Sequence, residues 1–188
     1  MCYNTCEIGK SRRKTMLTFR KAVKEDLDAL LQLYEQGRAA IARFGIDRWQ
    51  NGYPAKADIE KDMTDDVLWV SEDPEMPGKI ASVMALIFTG EPTYDIITEG
   101  NWLTGDTHDY AAIHRITVSP NFRNRGVAGQ TMTFGKESAK KAGFSSLRID
   151  THKGNLAMRG MLEKNGFTHC GTIFLESGAA RVAYEILL

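Results

Sequence analysis

Residues 123–128, Arg-Asn-Arg-Gly-Val-Ala, place two arginines beside a glycine at the start of a predicted helix. The stretch before them, residues 113–118, is apolar and β-branched, which is typical of a strand, and Ser119-Pro120-Asn121 ends it. A strand that runs through a glycine-bearing loop into a helix presents free backbone N–H groups and the positive end of the helix dipole. Because such an arrangement binds phosphate and arginines add directional donors, this region predicts a site for a phosphorylated cofactor.

Two common nucleotide-binding loops do not fit the spacing. A P-loop needs Gly-x-x-x-x-Gly-Lys-Ser/Thr, which the chain lacks. A Rossmann fingerprint needs three spaced glycines near the start of a strand-helix-strand unit, and only Gly126 is in place. The loop therefore indicates another class of phosphorylated cofactor.

The elements that position this loop alternate between strands and helices. Apolar runs predict strands over residues 17–23, 67–71, 79–89, 110–118, 146–151, 168–174 and 181–187. Helical spacing predicts helices over residues 24–44, 57–63, 127–142 and 156–165, the last capped by Asn155. Residues 90–109 are predicted to be a loop with a strand piece. This order predicts an α/β domain with a central mixed sheet.

Turn signals add local detail. The second and third strands are predicted to pair as a hairpin, and the last two to pair around Ser177-Gly178. Both late helices end in glycine followed by phenylalanine, at Gly143-Phe144 and Gly166-Phe167. Glycine there supplies a left-handed residue, and the phenylalanine packs back on the helix.

Composition excludes several classes of protein. The chain has 188 residues with 24 basic and 24 acidic side chains, which argues against a nucleic-acid binder. It contains no apolar stretch long enough to span a membrane. Three cysteines without paired metal-type spacing favour a reduced, cytoplasmic protein without a metal. Residues 1–16 are predicted to be a disordered or extension tail, and residues 17–188 a single domain.

The segment Arg-x-x-Gly-x-Ala at residues 123–128 resembles the acyl-CoA-binding loop of the GNAT acetyltransferases. A Val-Ser-Pro strand end precedes it, and residues 147–151, Asn155 and residues 162–167 follow at the separations that are usual in that family. Phe19-Arg20-Lys21-Ala22, followed by Asp26 and Leu27, is similar to the family's opening. The resemblance covers residues 17–188 and implies the GNAT acyl-CoA N-acyltransferase fold, a central mixed, mostly antiparallel sheet flanked by helices.

The resemblance also assigns the cofactor site. The loop N–H groups would cradle the CoA pyrophosphate, the strand edge would offer backbone groups to pantetheine, and Asn155 would contact the pantetheine arm besides capping its helix. Arg123, Arg125 and Lys164 either meet phosphate or face water. The expected cofactor residues are Ile116, Thr117, Val118, Arg123, Asn124, Arg125, Gly126, Val127, Ala128, Asn155 and Lys164.

Acetyl transfer to an amine requires a base, because a primary alkylamine with a pKa of about 10 is protonated at neutral pH. His114, four residues before Val118, is the best candidate. Some family members that acetylate arylalkylamines are similar in placing a catalytic histidine at that offset. A buried histidine bonded to a neighbouring carbonyl is the alternative. Looser candidates for the base are Glu91, Asp95, Glu99 and Asp109.

One position departs from the family pattern. Many GNAT enzymes have a tyrosine that protonates the leaving thiolate, and the matching position here is Leu162. Tyr34, Tyr110 and Tyr184 lie elsewhere in the sequence. A thiolate leaves tolerably without an acid, since thiols have pKa values of about 8.5.

The acceptor site of this family comes from the first two helices and their connecting loop. Trp49 and Tyr53 either line a pocket wall or only pack under the loop, and Asp47 could hold an ammonium group. A small-molecule amine, a peptide N-terminus and a lysine side chain all remain open as acceptors.

The predicted function is transfer of the acetyl group of acetyl-CoA to a primary amine by direct attack in a ternary complex. The alternative is a non-catalytic acyl-CoA-binding sensor or assembly domain, which Leu162 favours. A nucleotide-binding regulatory domain that uses the loop for ATP is a third possibility, although no Mg²⁺-ligand motif supports it. The expected partners are acetyl-CoA and an amine, without nucleic acid or membrane, and a homodimer is possible through the closing hairpin.

Overall fold

The computed structural model describes residues 15–43, 45–46, 49 and 52–188. The strands are β1 Thr18–Lys21, β2 Leu68–Glu72, β3 Ile80–Ile87, β4 Ile97–Thr98, β5 Tyr110–Val118, β6 Ser146–Thr151, β7 Thr168–Phe174 and β8 Ala180–Leu187. The α-helices are α1 Leu27–Ala42, α2 Lys56–Thr64, α3 Val127–Lys141 and α4 Leu156–Lys164. The tail predicted over residues 1–16 lies outside the described residues, except for Thr15 and Met16.

Within the described residues, the strands form one sheet in the order β1-β2-β3-β5-β6-β8-β7-β4. The neighbouring strands pair antiparallel, except for the central pair β5–β6, which is parallel. The predicted mixed, mostly antiparallel sheet is therefore confirmed. Both predicted hairpins, β2–β3 and β7–β8, are also present, and β4 is the strand piece expected between residues 90 and 109.

The sheet has helices on both faces, and β3 shows how the two layers are separated. Val83 and Ala85 belong to the core that α1 and α2 cover, whereas Met84 and Leu86 belong to the core under α3 and α4. Side chains along a strand alternate between faces, so this continuous apolar run supplies both cores.

The left-handed helix ends predicted from Gly-Phe pairs are confirmed. Gly143 and Gly166 have φ angles of +92° and +88°. The following N–H groups turn back onto the helices, as Phe144 N–H donates to the Ala139 carbonyl and Phe167 N–H to the Leu162 carbonyl, both at 3.1 Å. Phe144 and Phe167 pack in the core under α3 and α4, which anchors both helix ends.

The centre of the sheet is split. β5 pairs with β6 only where residues 110–112 lie opposite residues 146–148, and the two strands separate beyond that point. On its other side, β5 places both Arg115 and Ile116 opposite Met84 of β3, which is a β-bulge, and Arg115 takes a positive φ of 52°. The split leaves the β6-facing edge of β5 without a strand partner beyond residue 112, in the middle of the protein.

Candidate functional site

Two spaces meet at the split between β5 and β6. A polar cavity of about 630 Å³ is lined by Trp49, Tyr53, Glu91, His114, Asp150 and Arg181, among others. A groove of about 230 Å³ runs between α1, β5 and α4. A smaller space of about 50 Å³ shares His114 with the polar cavity and Asn155 with the groove. Two ligands that enter from the two sides would therefore meet next to His114.

His114 is paired with a carboxylate from another segment of the chain. Its Nε2 atom is buried and lies 3.2 Å from Oε2 of Glu91, in an ion-pair contact rather than a straight hydrogen bond. The other carboxylate oxygen of Glu91 accepts hydrogen bonds from the N–H and the hydroxyl of Thr93, at 3.2 and 2.9 Å. The contact with His114, followed by the bonds from Thr93, lowers the pKa of Glu91 to about 2 despite partial burial. Glu91 is therefore ionised at neutral pH.

Tyr110, at the start of β5, holds the backbone of Glu91. Its hydroxyl accepts a hydrogen bond from the Glu91 N–H at 3.0 Å and donates one to the Glu91 carbonyl at 3.2 Å. Glu91 comes from the connection between β3 and β4, so this contact ties that connection to the same strand that carries His114.

Tyr94 supports the other side of the imidazole. Its ring stacks on His114 with 5.9 Å between the centroids, and its hydroxyl donates to Asp150 at 3.0 Å. Asp150 stands on β6, across the split, with Arg181 Nε 3.9 Å from its second oxygen. Sequence reasoning missed these three residues. Asp150 was detectable as an acidic residue near the end of a buried strand, whereas Tyr94 carries no comparable signal.

The bulge residue Arg115 connects the loop between α1 and α2 to β5. It donates to the Tyr53 hydroxyl at 2.6 Å and meets both carboxylate oxygens of Asp62 at 2.7 Å. Trp49 is 9% exposed and lines both the cavity and the groove, whereas Tyr53 is 38% exposed. The two predicted acceptor residues thus lie at the polar cavity, while Asp47 lies outside the described residues.

The predicted phosphate loop adopts a conformation that glycine permits. Gly126 is the residue before α3 and has a φ of +75°, a left-handed angle that favours glycine. The first backbone bond of the helix is from Gln130 N–H to the Gly126 carbonyl, so the N–H groups before it have no partner within the helix. The loop therefore offers donors and the positive end of α3 at the mouth of the groove.

The side chains of the loop point in different directions. Arg123 is exposed and lines the groove with Ala128. Arg125 instead lies 3.3 Å from Asp73 and 3.6 Å from Glu75, in the turn between β2 and β3. Val127 is buried, and Asn124 is exposed with a positive φ of 59°. Arg123 therefore lines the groove, whereas Arg125 is paired with carboxylates outside it.

The wall of the groove is the unpaired part of β5. Ile116, Thr117 and Val118 all line it, and α1 closes over it. A Cβ atom on Gly37 of α1 would lie 3.1 Å from the Thr117 side chain, so the helix approaches the strand closely there. Backbone groups of this strand edge are accessible to an extended ligand, as an added strand would be.

The α4 helix supplies the opposite wall. Asn155 accepts a hydrogen bond from Met158 N–H at 3.2 Å, which confirms the predicted helix cap, and it also lines the groove. Lys164, in the last turn of α4, is exposed. The residue after it, Asn165, would lie 3.6 Å from a Cβ atom on Gly129, in the first turn of α3. The end of α4 and the start of α3 are thus neighbours.

The position of the missing tyrosine is occupied by a core residue. Leu162 has no exposed surface and packs between α4, α3 and the sheet. Tyr184 bonds with Glu163 and Arg159, and Tyr34 is fully buried. Of the three tyrosines considered from the sequence, Tyr110 is the one connected to the site, by the hydrogen bonds between its hydroxyl and the backbone of Glu91.

Among the looser carboxylate candidates, Glu91 is the one beside His114. Asp95 lies 3.9 Å from His108, and Glu99 accepts a hydrogen bond from Thr172 at 2.7 Å. Asp109 accepts from the Ser145 hydroxyl, at the opposite end of β5 from the bulge. These contacts occupy the other three carboxylates away from the split.

Searches for two other features within the described part of the chain were negative. None of its helices has the length and apolar character needed to cross a membrane. Its histidine, cysteine and acidic side chains nowhere gather in groups of three or more that could hold a metal ion.

Comparisons with known proteins identify relatives of this fold. The profile of the acetyltransferase (GNAT) family matches residues 42–167. A GNAT-family acetyltransferase from Streptococcus agalactiae is 35% identical, with a TM-score of 0.81, and the match covers 92% of this chain and 95% of that one. None of the curated protein sequences matches this chain.

Two further solved structures share the fold at lower identity. A GNAT-family acetyltransferase from Listeria monocytogenes is 18% identical, with a TM-score of 0.69 and coverage of 92% and 95% of the two chains. A phosphinothricin acetyltransferase from Sinorhizobium meliloti, solved in complex with acetyl-CoA, is 14% identical, with a TM-score of 0.65 and coverage of 92% and 89%.

Proposed function

Because this chain belongs to the GNAT acetyltransferase family, we propose that it transfers the acetyl group of acetyl-CoA to a primary amine by direct attack in a ternary complex. The observation that supports this most is that a small space lined by His114 lies between the groove and the polar cavity and shares residues with both. A donor in the groove and an acceptor in the cavity would be held face to face, which removes much of the entropic cost of their reaction.

The groove has the chemistry that acetyl-CoA requires. The N–H groups at the start of α3 would bind the pyrophosphate, with Gly126 leaving room for its approach and Arg123 adding charge. The unpaired edge of β5 at residues 116–118 and the Asn155 side chain would bind the pantetheine arm. The relative from Sinorhizobium was solved with acetyl-CoA, which supports the same donor here.

The reaction needs a neutral amine and a stabilised oxyanion. His114 takes a proton from the acceptor nitrogen as that nitrogen attacks the thioester carbonyl carbon. A C–N bond forms, the C–S bond breaks, and its electron pair leaves with sulfur as the CoA thiolate. A backbone N–H of β5, in the bulged stretch that lacks a β6 partner, would stabilise the negative charge that develops on the carbonyl oxygen.

The acceptor would enter the polar cavity between Trp49 and Tyr53 on one side and Asp150 on the other. Aromatic walls suit the apolar part of an amine, and the carboxylate of Asp150 suits an ammonium group that enters protonated. A small-molecule amine, a peptide N-terminus and a lysine side chain are all compatible with this cavity.

A non-catalytic acyl-CoA-binding domain is the second candidate function. The observation that favours it is the fully buried Leu162, because this position has no hydroxyl that could protonate the thiolate. An acid is dispensable when the leaving group is a thiolate, so we rank this function second.

Calorimetric titration with acetyl-CoA and desulfo-CoA tests the donor site. Gly126→Glu places a carboxylate and a side chain where the pyrophosphate would bind, and we expect the affinity to fall about tenfold or more. Gly143→Glu is the matched control, because Gly143 lies at the other end of α3, has a φ of +92° and would place its Cβ in open space.

Comparison of the two variants distinguishes loss of the CoA site from strain that a side chain causes at a left-handed position next to α3. Equal losses in both variants, or no binding of CoA species by the folded wild type, would contradict the donor site. Binding without acetyl transfer to any member of an amine panel would favour the non-catalytic domain.

A further inference from the structure

Every polar atom of Glu91 has a protein contact that orients it. One carboxylate oxygen accepts two hydrogen bonds from Thr93, the other faces His114, and the backbone N–H and carbonyl both bond to the Tyr110 hydroxyl. Glu91 begins a short 3₁₀ turn at residues 92–94, and its side chain caps that turn. Its position is therefore determined independently of His114.

The imidazole is likewise held from two sides. The buried Nε2 atom faces Glu91, and the ring face stacks on Tyr94. Burial of Nε2 against a carboxylate favours a proton on that nitrogen, because a bare nitrogen lone pair would face negative charge there. The other nitrogen, Nδ1, then carries the free lone pair.

From this geometry we propose that Glu91 is a positioning residue that keeps the proton of neutral His114 on Nε2 and leaves Nδ1 to accept the proton of the acceptor amine. The proposal rests on the proposed function, since it specifies how His114 would act as the base. It concerns the tautomer and orientation of His114 rather than any contact between Glu91 and the substrate.

Other charged groups line the same cavity and act on the imidazole. They are Arg115 on the bulge of β5, Asp150 on β6, His152 after β6 and Arg181 on β8. Arg115 is paired with Asp62, and Arg181 lies beside Asp150, so each of these two arginines stands next to a carboxylate of its own. Glu91 is the carboxylate in direct contact with His114 in the described part of the protein.

Glu91→Gln removes the charge and keeps the size of the side chain. We expect kcat to fall about 10- to 100-fold, with KM for acetyl-CoA nearly unchanged, because the base loses its orientation while the groove is intact. The profile of kcat/KM against pH should differ from that of the wild type as well, because the carboxylate charge beside the imidazole is removed.

Asp106→Asn is the matched control for this charge. Asp106 is an exposed carboxylate in the next connection, between β4 and β5, and it lines a different cavity beside His108. A merely electrostatic effect of net charge would appear in both variants. The proposal requires that the kcat and the pH profile of the Asp106→Asn protein match those of the wild type.

The ¹⁵N chemical shifts of the His114 ring, measured on the neutral imidazole, report the tautomer without any turnover. We expect a protonated Nε2 in the wild type and a shift towards protonated Nδ1 in Glu91→Gln, because the amide can donate to Nε2. If Glu91→Gln does not fold, Thr93→Val serves instead: it keeps the carboxylate, removes one of its anchors and should give a smaller change in the same direction.

The outcomes distinguish a failure of the role of Glu91 from a failure of the proposed acetyltransferase function. A wild type with the proton on Nδ1, or variants with unchanged tautomer and unchanged pH profile, would overturn the role of Glu91 even in an active enzyme. Absence of acetyl transfer to all amines would overturn the proposed function, while the ring shifts would still decide whether Glu91 sets the tautomer.

Discussion

Two clusters of side chains in this protein contain similar groups and have different surroundings. One joins Arg148 to Glu185, and the other joins His114 to Glu91. Both pair a carboxylate with a nitrogen-containing side chain beside aromatic rings. Tyr110 contributes to both, since its ring lies 4.0 Å from the Arg148 guanidinium and its hydroxyl bonds to Glu91. Their difference shows what distinguishes a structural ion pair from a potential catalytic pair.

The Arg148–Glu185 pair is closed to solvent. The two side chains are 2% and 0% exposed, and the guanidinium also lies 4.2 Å from the ring of Trp102. Glu185 accepts further hydrogen bonds from the hydroxyls of Ser146 and Thr104 at 2.6 and 2.7 Å. With its partners satisfied, this cluster joins β6, β8 and the segment before β5, which gives it a structural role.

The His114–Glu91 pair is open on one side. Its side chains are 15% and 20% exposed, and both residues line the polar cavity. Glu91 is fully engaged, whereas His114 has its protein contacts on one nitrogen and one ring face. The comparison teaches that two differences make the second pair suited to proton transfer: it is open to the cavity, and an imidazole, unlike a guanidinium, can accept and release a proton.

The largest effect is expected from breaking the closed pair. Glu185→Leu leaves the Arg148 guanidinium buried without its counter-charge, which should lower the free energy of unfolding by about 3–5 kcal/mol. Urea denaturation followed by circular dichroism measures this loss. The double variant Arg148→Met with Glu185→Leu should recover part of it, because no buried charge remains. A single variant that lost less than about 1 kcal/mol would show that this pair is not structural.

Removal of His114 from the open pair is expected to affect activity rather than cofactor binding. His114→Ala should lower kcat/KM about 10²- to 10⁴-fold, because the base is removed, while the affinity for acetyl-CoA stays within about twofold. Steady-state kinetics and calorimetry measure the two quantities. Retention of more than about a tenth of the activity would mean that another group takes the amine proton.

The smallest effect concerns acid stability. Contact with His114 is the main reason that the pKa of Glu91 falls from 4.5 to about 2, so the folded state binds the proton less readily than the unfolded state. The resulting stabilisation is fully present above about pH 4.5 and is lost as the pH falls towards 2. The Glu91→Gln protein should therefore lose about 1–3 kcal/mol less stability than the wild type over this range.

Urea unfolding at a series of pH values checks this prediction, with Asp106→Asn as the charge control. Parallel stability curves for the wild type and Glu91→Gln would contradict it. Such a result would also mean that the contact between Glu91 and His114 is weaker in solution than its 3.2 Å distance suggests.

The fold was largely predictable because the sequence patterns that specify its elements involve residues close together in the chain. Strands, helices and the glycine-terminated helix ends depend on neighbouring residues, and the main elements lie where the sequence predicts them. Gly126 is predictable for the same reason, because a left-handed residue before a helix is a local requirement. The bulge at Arg115 was not predictable, since arginine is not a residue that favours a positive φ.

The site depends on contacts between distant segments. His114 and Glu91 are separated by the β4 connection, Tyr94 and Asp150 by 56 residues, and Arg115 and Asp62 by 53. The sequence marks Glu91 as one of four acidic candidates, and the structure distinguishes it from the other three. Tyr94 and Asp62 carry no signal of their own, because their roles arise from the residues they meet.

By itself, the sequence determined the class of fold and the left-handed glycine before α3, and it predicted a phosphate site in that loop and His114 as the base, because these signals depend on residue types at short spacing. Tertiary structure alone decided that Glu91 faces Nε2 of His114, that Arg115 bonds to Tyr53, and that the groove and the polar cavity meet at the split of the sheet. The physical reason is that these features depend on where β5 leaves β6 and bulges against β3, and that geometry is set by the packing of the whole sheet.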